Sequence, residues 1–284
     1  MNILVTGANG QLGSELQKIS DNYPEYRFFF TDIDKLDITN PEAVNVFFEK
    51  NGIQTVINCA AYTAVDKAES DESAAKLINA TAVAHVAKAC SKTDATLIHV
   101  STDYVYDGCA CQPYREDHPT APASVYGRSK LAGEKLALTV PKSVVIRTSW
   151  LYSLFGNNFV KTMLRLGKER ETLNVVFDQI GTPTYAADLA QAIMKMAGTA
   201  EQNNLKTGIF HYSNEGVCSW YDFAHEIMLQ AKLNCVIRPI ETKDYPTPAT
   251  RPHYSVLNKA RIKAEYGVKI PHWKNSLYRC LAEL

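Results

Sequence analysis

Tyr126 and Lys130 stand four residues apart in YGRSK, a spacing that puts two side chains on one face of a helix, one turn apart. A phenol and an ammonium so placed can address a single bound molecule. Fifteen tyrosines make about one YxxxK expected by chance, so the pair gains meaning only from its company. That company begins with STDYVYDG, which follows the apolar run TLIHV and sets Ser101, Thr102 and Asp103 at the end of a strand. In an open parallel sheet, ligands bind outside the carboxyl ends of the strands. A hydroxyl there, Thr102, is placed to donate to a carbonyl oxygen as charge develops under hydride attack. A free phenol with a pKa near ~10 is a poor acid for an alkoxide, and a neighbouring ammonium and a cationic nicotinamide both favour the phenolate. Lys130 is therefore expected to lower the pKa of Tyr126 while holding a ribose. Tyr126 then delivers the proton, a contribution of typically ~10²- to 10⁴-fold.

The opening ILVTGANGQLG supplies the second half of such a site. Gly7, Gly10 and Gly13, with Gln11 and Leu12 between the last two, follow a strand and begin a helical pattern. A pyrophosphate needs this arrangement: a tight turn, a backbone bare enough to touch, and a helix N-terminus offering amides and a positive dipole end. The spacing is GxxGxxG rather than GxGxxG, and a plain strand-to-helix turn is the alternative. The next apolar run, RFFF, ends at Asp32, about 20 residues beyond Gly13, where an acidic side chain receives ribose hydroxyls. A carboxylate there repels a 2′-phosphate, and no arginine follows directly in TDIDKLDIT. NADH is thus favoured over NADPH, with Lys35 the residue that would accommodate the phosphate.

These groups need a scaffold, and the first half of the chain alternates Val/Ile-rich runs of strand length with helical patterns: NILVT, QLGSELQKIS, YRFFFTD, PEAVNVFFEKN, TVINCAA, SAAKLINATAVAHVAKACS, TLIHVSTD, VYGRSKLAGEKLAL and SVVIRTSW. Continuous apolar strands separated by helices predict an α/β fold with a doubly wound parallel sheet of the Rossmann kind, covered on both faces. Beyond Trp150 the pattern loosens into a helix at NNFVKTMLRLGKER, a strand at LNVVFD and the turn-rich QIGTPTYA. A helix at AADLAQAIMKMA and a strand at GIFHYSN return to the sheet. Residues 1–150 and 182–215 are expected to form the dinucleotide-binding domain, and 151–181 with 216–284 a smaller, interleaved C-terminal substrate lobe.

Thirty basic and thirty acidic residues give a net charge of zero, so no global field favours nucleic acid or an anionic membrane. MNILVTGANG lacks the basic and apolar regions of a signal sequence, no apolar run is long enough to span a bilayer, and a cytoplasmic protein is expected. Seven cysteines form no CxxC pair, so reduced thiols are expected. Cys109 and Cys111 with His118 fall short of a regular metal-ligand pattern, and that segment reads as a loop with incidental thiols.

Taken together, GANGQLG, AAYTAVDKAE, STDYVYDG, YGRSK, RTSWLY and RPHYSVL resemble the extended short-chain dehydrogenase/reductase family over essentially the whole chain, in the branch that acts on dTDP-linked deoxysugars. The resemblance implies a reduction of the 4-keto group of dTDP-4-dehydro-L-rhamnose with NADH or NADPH. It implies Thr102, Tyr126 and Lys130 as catalytic hydroxyl, acid and lysine, and the three glycines around the pyrophosphate. Asp37 and Ile38 are then near the adenine, Ala60, Ala61 and Tyr62 beside the cofactor, and Thr63, Val65, Asp103, Trp150 and Arg251 toward the sugar nucleotide. Asn79 corresponds to an asparagine that steadies the site, and the Arg251 guanidinium is suited to a diphosphate. Some relatives hold magnesium through glutamates at a dimer contact; Glu15 matches one, but AADLAQ displaces the second acid, so no metal is expected and a homodimer stays open. The partner expected is a small nucleotide sugar. Two alternatives remain open: a nucleotide-sugar epimerase or dehydratase, and a regulatory binding protein resembling the non-catalytic subunit of methionine adenosyltransferase.

Overall fold

Alternation along short apolar strands builds the scaffold. In Asn2–Thr6, Ile3 and Val5 face one layer of helices and Leu4 the other; Ile57 and Val56 divide in the same way, as do Ile98 and Leu97. Such strands must be covered on both sides. The computed structural model, which describes residues 1–202 and 204–284, joins six of them in one parallel sheet. From edge to edge their order is Gly208–His211, Ser143–Thr148, Thr96–Thr102, Thr55–Asn58, Asn2–Thr6 and Arg27–Thr31. Helices Gln11–Ile19, Ala186–Glu201 and Ala260–Tyr266 pack on one face, and Pro41–Asn51 and Ala82–Thr93 on the other. The chain starts in Asn2–Thr6 and then extends to either side of it. A crevice therefore opens at the carboxyl ends of that strand and Thr55–Asn58, the place where such folds take ligands.

A second core lies beyond these carboxyl ends. Helices Phe159–Glu169, Trp220–Gln230 and Trp273–Glu283 enclose it with the parallel pair Thr172–Val176 and Val236–Ile240. The last 70 or so residues divide between the two cores, because Ile262, Tyr266 and Val268 pack under the sheet while Trp273, Leu277 and Cys280 enter the second core. One expected helix is interrupted: the run from Glu72 to Thr93 contains a π-helical turn at Leu77–Thr81. Such turns recur at functional sites. Among the described residues no helix is long and apolar enough to cross a membrane.

Candidate active site

The glycine loop is shaped by close backbone approach. Gly7 has φ +64°, and a Cβ there would lie 2.7 Å from the Ala60 backbone; a Cβ on Gly13 would strike the Gly7 carbonyl and lie 2.5 Å from Ala8 Cα. Both positions exclude side chains so that loop, helix and the neighbouring strand can touch. The helix Gln11–Ile19 then starts at Gly10 without a side-chain cap and with no acid in its first turn. By contrast Asn40 caps Pro41–Asn51 and Ser124 caps Val125–Ala137, each through an amide three residues on. The free amides of the first helix and its positive dipole end thus face the crevice. Asp32 closes the loop from the side: its carboxylate accepts from the amides of Asn9 at 3.0 Å and Ile33 at 2.9 Å.

Tyr126 and Lys130 share the helix Val125–Ala137 and are both buried. Tyr126 meets Tyr104 edge-on at 5.5 Å. Burial pushes its phenol well above the usual range, with the Thr102 hydroxyl beside it acting in the opposite sense. Lys130 stands one turn further along the same helix. Its ammonium donates to the carbonyl of Val100 at 2.7 Å, and burial brings its own pKa down to about 8. Both shifts share one cause, desolvation in the same dry interior, which spacing along a helix does not reveal.

Thr102 ends the strand Thr96–Thr102 and donates to the Asp103 carboxylate at 2.9 Å. Asp103 is itself buried, its pKa pushed up to about 6 by desolvation, and its second oxygen has no partner. Behind these groups Glu134, one turn beyond Lys130, accepts from the Ser101 hydroxyl at 2.5 Å. Arg147 binds the same carboxylate twice, at 2.9 and 2.7 Å, and reaches the Tyr106 hydroxyl at 2.6 Å. Asn79, in the π-helical turn, holds both the amide and carbonyl of Tyr62, at 2.8 and 3.1 Å, and the Ser129 hydroxyl at 3.0 Å. Close approach of this turn to the catalytic helix depends on Gly133, whose added Cβ would strike the Asn79 carbonyl.

One cavity of about 1000 Å³ runs along these groups, at the upper end of the range for small-molecule sites. Gly7, Gly10, Gln11, Leu12 and Gly13 line it with Asp32, Asp37 and Ile38; Ala60, Ala61, Thr63 and Val65 follow, and Thr102, Asp103, Tyr126, Lys130 and Trp150 complete the expected set. Asp37 sits in a turn, its carboxylate bound by the amide and hydroxyl of Thr39. Two expected residues lie outside the lining. Tyr62 turns its ring into the small core beside Val125 and Tyr126, where its hydroxyl is buried without a partner. Arg251 pairs with Asp66 at 2.5 Å, leaving its other terminal nitrogen buried and unpartnered. Asp66 belongs to the adjoining helix Val65–Ala68. Glu15 is fully buried against the Ser153 hydroxyl at 2.6 Å, and burial raises its pKa. Cys109 and Cys111 are exposed thiols.

The lining also contains Ser149, Gly156, Asn157 and Trp220, which the sequence reading did not single out. Trp220 is the first residue of its helix, after a capping box between Ser219 and Asp222. Its sequence signal was only that of a helix start.

The residues present fit a dinucleotide. A loop that side chains would fill, uncapped helix amides, the buried Gln11 Oε1 without a partner and an acid at the end of the second strand are matched to a pyrophosphate and a ribose. Fold and crevice together define an oxidoreductase that uses a nicotinamide nucleotide. The family described as RmlD substrate binding domain matches residues 1–284, and the chain belongs to that family. It is 42% identical to a dTDP-4-dehydrorhamnose reductase of Aggregatibacter actinomycetemcomitans, over 97% of this chain and 96% of that one. Among solved structures it is similar to a dTDP-4-dehydrorhamnose reductase of Clostridium acetobutylicum, with a TM-score of 0.94 and 44% identity over 100% of this chain and 99% of that one. A reductase of the same name from Bacillus anthracis, in complex with NADP, has a TM-score of 0.94 and 41% identity over the same shares.

Proposed function

We propose that this chain reduces the 4-keto group of dTDP-4-dehydro-L-rhamnose to give dTDP-L-rhamnose. The observation that carries the reading is one cavity lined both by the glycine loop and by Thr102, Tyr126 and Lys130, in a chain of this family. A bound nicotinamide supplies the hydride. The Thr102 hydroxyl turns from Asp103 to the ketone oxygen and stabilises its developing charge. Tyr126, kept as a phenol by burial, is in the form needed to give a proton and transfers it to the alkoxide. Lys130 has three donors, of which one is engaged with Val100; the others are available to ribose hydroxyls. Thr63, Val65 and Trp150 face the sugar nucleotide, and Arg251, bridging to Asp66, orders that side of the site.

Asp32 supports a preference for NADH. Two backbone amides fix its carboxylate beside the glycine loop, where a 2′-phosphate would meet a negative charge. We place the protein in the cytoplasm, with its seven cysteines as free thiols. The test is to supply dTDP-4-dehydro-L-rhamnose with NADH or NADPH, follow loss of cofactor absorbance and identify the sugar formed. Oxidation with formation of dTDP-L-rhamnose is expected. No oxidation of either cofactor would refute the reading and favour a binding protein on the same fold.

A further inference from the structure

The two hydroxyls of the proposed reaction come from separate elements: Thr102 closes the strand Thr96–Thr102, and Tyr126 lies in the first turn of the helix Val125–Ala137. Their separation is therefore set by whatever fastens that strand end to that helix. Two buried bonds do so, from successive turns of the helix. The Lys130 ammonium donates to the carbonyl of Val100 at 2.7 Å. One turn on, the Glu134 carboxylate accepts from the Ser101 hydroxyl at 2.5 Å. This second bond is the closer to the reacting end, because Ser101 directly precedes Thr102 and the two lie only ~3.3 Å apart along the strand. Ser101 also stands opposite Arg147 on the neighbouring strand Ser143–Thr148, and both reach the same carboxylate, Arg147 through two bonds at 2.9 and 2.7 Å. Those two bonds already balance the charge of Glu134. What the Ser101 bond adds is position. The far end of the clamp is fixed as well, since Arg147 donates to the Tyr106 hydroxyl at 2.6 Å and lies over the Tyr106 ring at 5.0 Å. Ser101, Glu134 and Arg147 are each at most 4% exposed, so solvent does not compete for these bonds.

We infer that Ser101 is a positioning residue for ketone reduction: its bond to Glu134 sets the distance between the Thr102 hydroxyl and the Tyr126 phenol, and so brings both donors to one ketone oxygen. This rests on the reaction assigned above. Both donors must meet the same atom as the hydride arrives, and a misplacement of about 1 Å at such a centre costs on the order of 10²-fold. The glycine loop follows a different strand, Asn2–Thr6, so the effect falls on the chemical step and not on binding of the dinucleotide.

The experiment compares wild type with Ser101→Ala and Ser101→Thr. Alanine leaves both Arg147 bonds to Glu134 in place, so no buried charge loses its partner and the variant should fold, which urea unfolding checks. In Ser101→Ala, kcat with dTDP-4-dehydro-L-rhamnose should fall by ~10- to 100-fold, while KM for the sugar nucleotide and for the nicotinamide nucleotide stays within about twofold. Ser101→Thr keeps the hydroxyl and should recover most of the rate. Crystal structures of wild type and Ser101→Ala should show the side-chain oxygens of Thr102 and Tyr126 further apart in the variant. A purely structural role predicts a less stable protein whose folded molecules turn over at the wild-type kcat. That result would overturn the inference, as would a lowered kcat with the two oxygens at their wild-type separation. Wild type that turns over no dTDP-4-dehydro-L-rhamnose would instead refute the assigned reaction, leaving the crystallographic separation to decide the role of Ser101.

Discussion

Replacing Lys130 by methionine should make the ligand-free protein more stable at neutral pH while it destroys the site. Burial brings the Lys130 ammonium from its ordinary 10.5 down to about 8, which corresponds to on the order of 3 kcal/mol against the charged form. Methionine has a similar length and no charge to desolvate. Against this stands the bond to the Val100 carbonyl, 2.7 Å long, whose loss leaves a buried acceptor and costs about 1 kcal/mol. The net gain is therefore about 2 kcal/mol, or roughly 5 °C in Tm for a chain of this size. The sign of the pH dependence separates this cause from any other. Below pH 8 both folded and unfolded lysine are charged, and the whole penalty applies. Between about 8 and 10.5 the unfolded chain keeps a proton that the folded one has released, so wild-type stability rises with pH from this group and the advantage of methionine shrinks. Urea and thermal unfolding of both proteins, followed by circular dichroism at about pH 7 and about pH 10, give the comparison. A variant less stable than wild type at pH 7, or an advantage that does not narrow with rising pH, refutes the reasoning.

Other consequences follow from the same geometry. Tyr126→Phe should lower turnover by at least ~10²-fold while dinucleotide binding, measured by calorimetry, stays within a factor of about two; normal rates would exclude Tyr126 as the acid. Asp32→Asn keeps the shape of the carboxylate but not its charge, and should move the ratio of kcat/KM for NADPH over NADH upward by ~5-fold. An unchanged ratio would mean that Asp32 has no part in cofactor choice. Arg147→Met leaves the Glu134 carboxylate buried and uncompensated, and should cost about 3–5 kcal/mol in urea unfolding. The double variant with Glu134→Gln should recover a large part of that loss, and strictly additive effects would show that the two do not act as a pair.

Period and spacing made the sheet legible, because a strand buried on both faces must be apolar throughout and a glycine loop must follow the first of them. The same logic placed Gly7, Gly13, Asp32, Thr102, Tyr126 and Lys130 along one cavity. What escaped was set by contacts between distant segments. Trp220 stacks on Trp150, which is distant in the sequence, and nothing local distinguishes it from a core aromatic at a helix start. The pairing of Arg251 with Asp66 joins residues on opposite sides of the chain, and no spacing rule connects them. The π-helical turn that lets Asn79 reach both Tyr62 and Ser129 falls within a run that reads as one continuous helix. The pKa shifts of Tyr126 and Lys130 were out of reach for a related reason: their proximity is a local property, but the depth of burial that governs both belongs to the whole fold.

The floor of the crevice shows how that burial is made tolerable. Across three adjacent strands, the Thr6 hydroxyl donates to Asn58 Oδ1 at 2.6 Å, and Asn58 Nδ2 contacts His99 Nδ1 at 3.0 Å. With the Asn58 carbonyl oxygen accepting from Thr6, its amide must donate to the imidazole, so His99 Nδ1 is the acceptor and Nε2 carries the hydrogen. The ladder therefore runs in one direction across Asn2–Thr6, Thr55–Asn58 and Thr96–Thr102. Desolvation lowers the pKa of His99, and the Lys130 ammonium lowers it further, so the imidazole stays neutral and Lys130 remains the cation at this part of the floor. Each charge near the reacting end has a defined neighbour: Lys130 the Val100 carbonyl, Asp103 the Thr102 hydroxyl, and Glu134 the Arg147 guanidinium. Strand ends tied by neutral, directional bonds, with charges paired one layer back, keep Thr102 and Tyr126 in place. Any rearrangement would have to break a buried polar bond, which is costly.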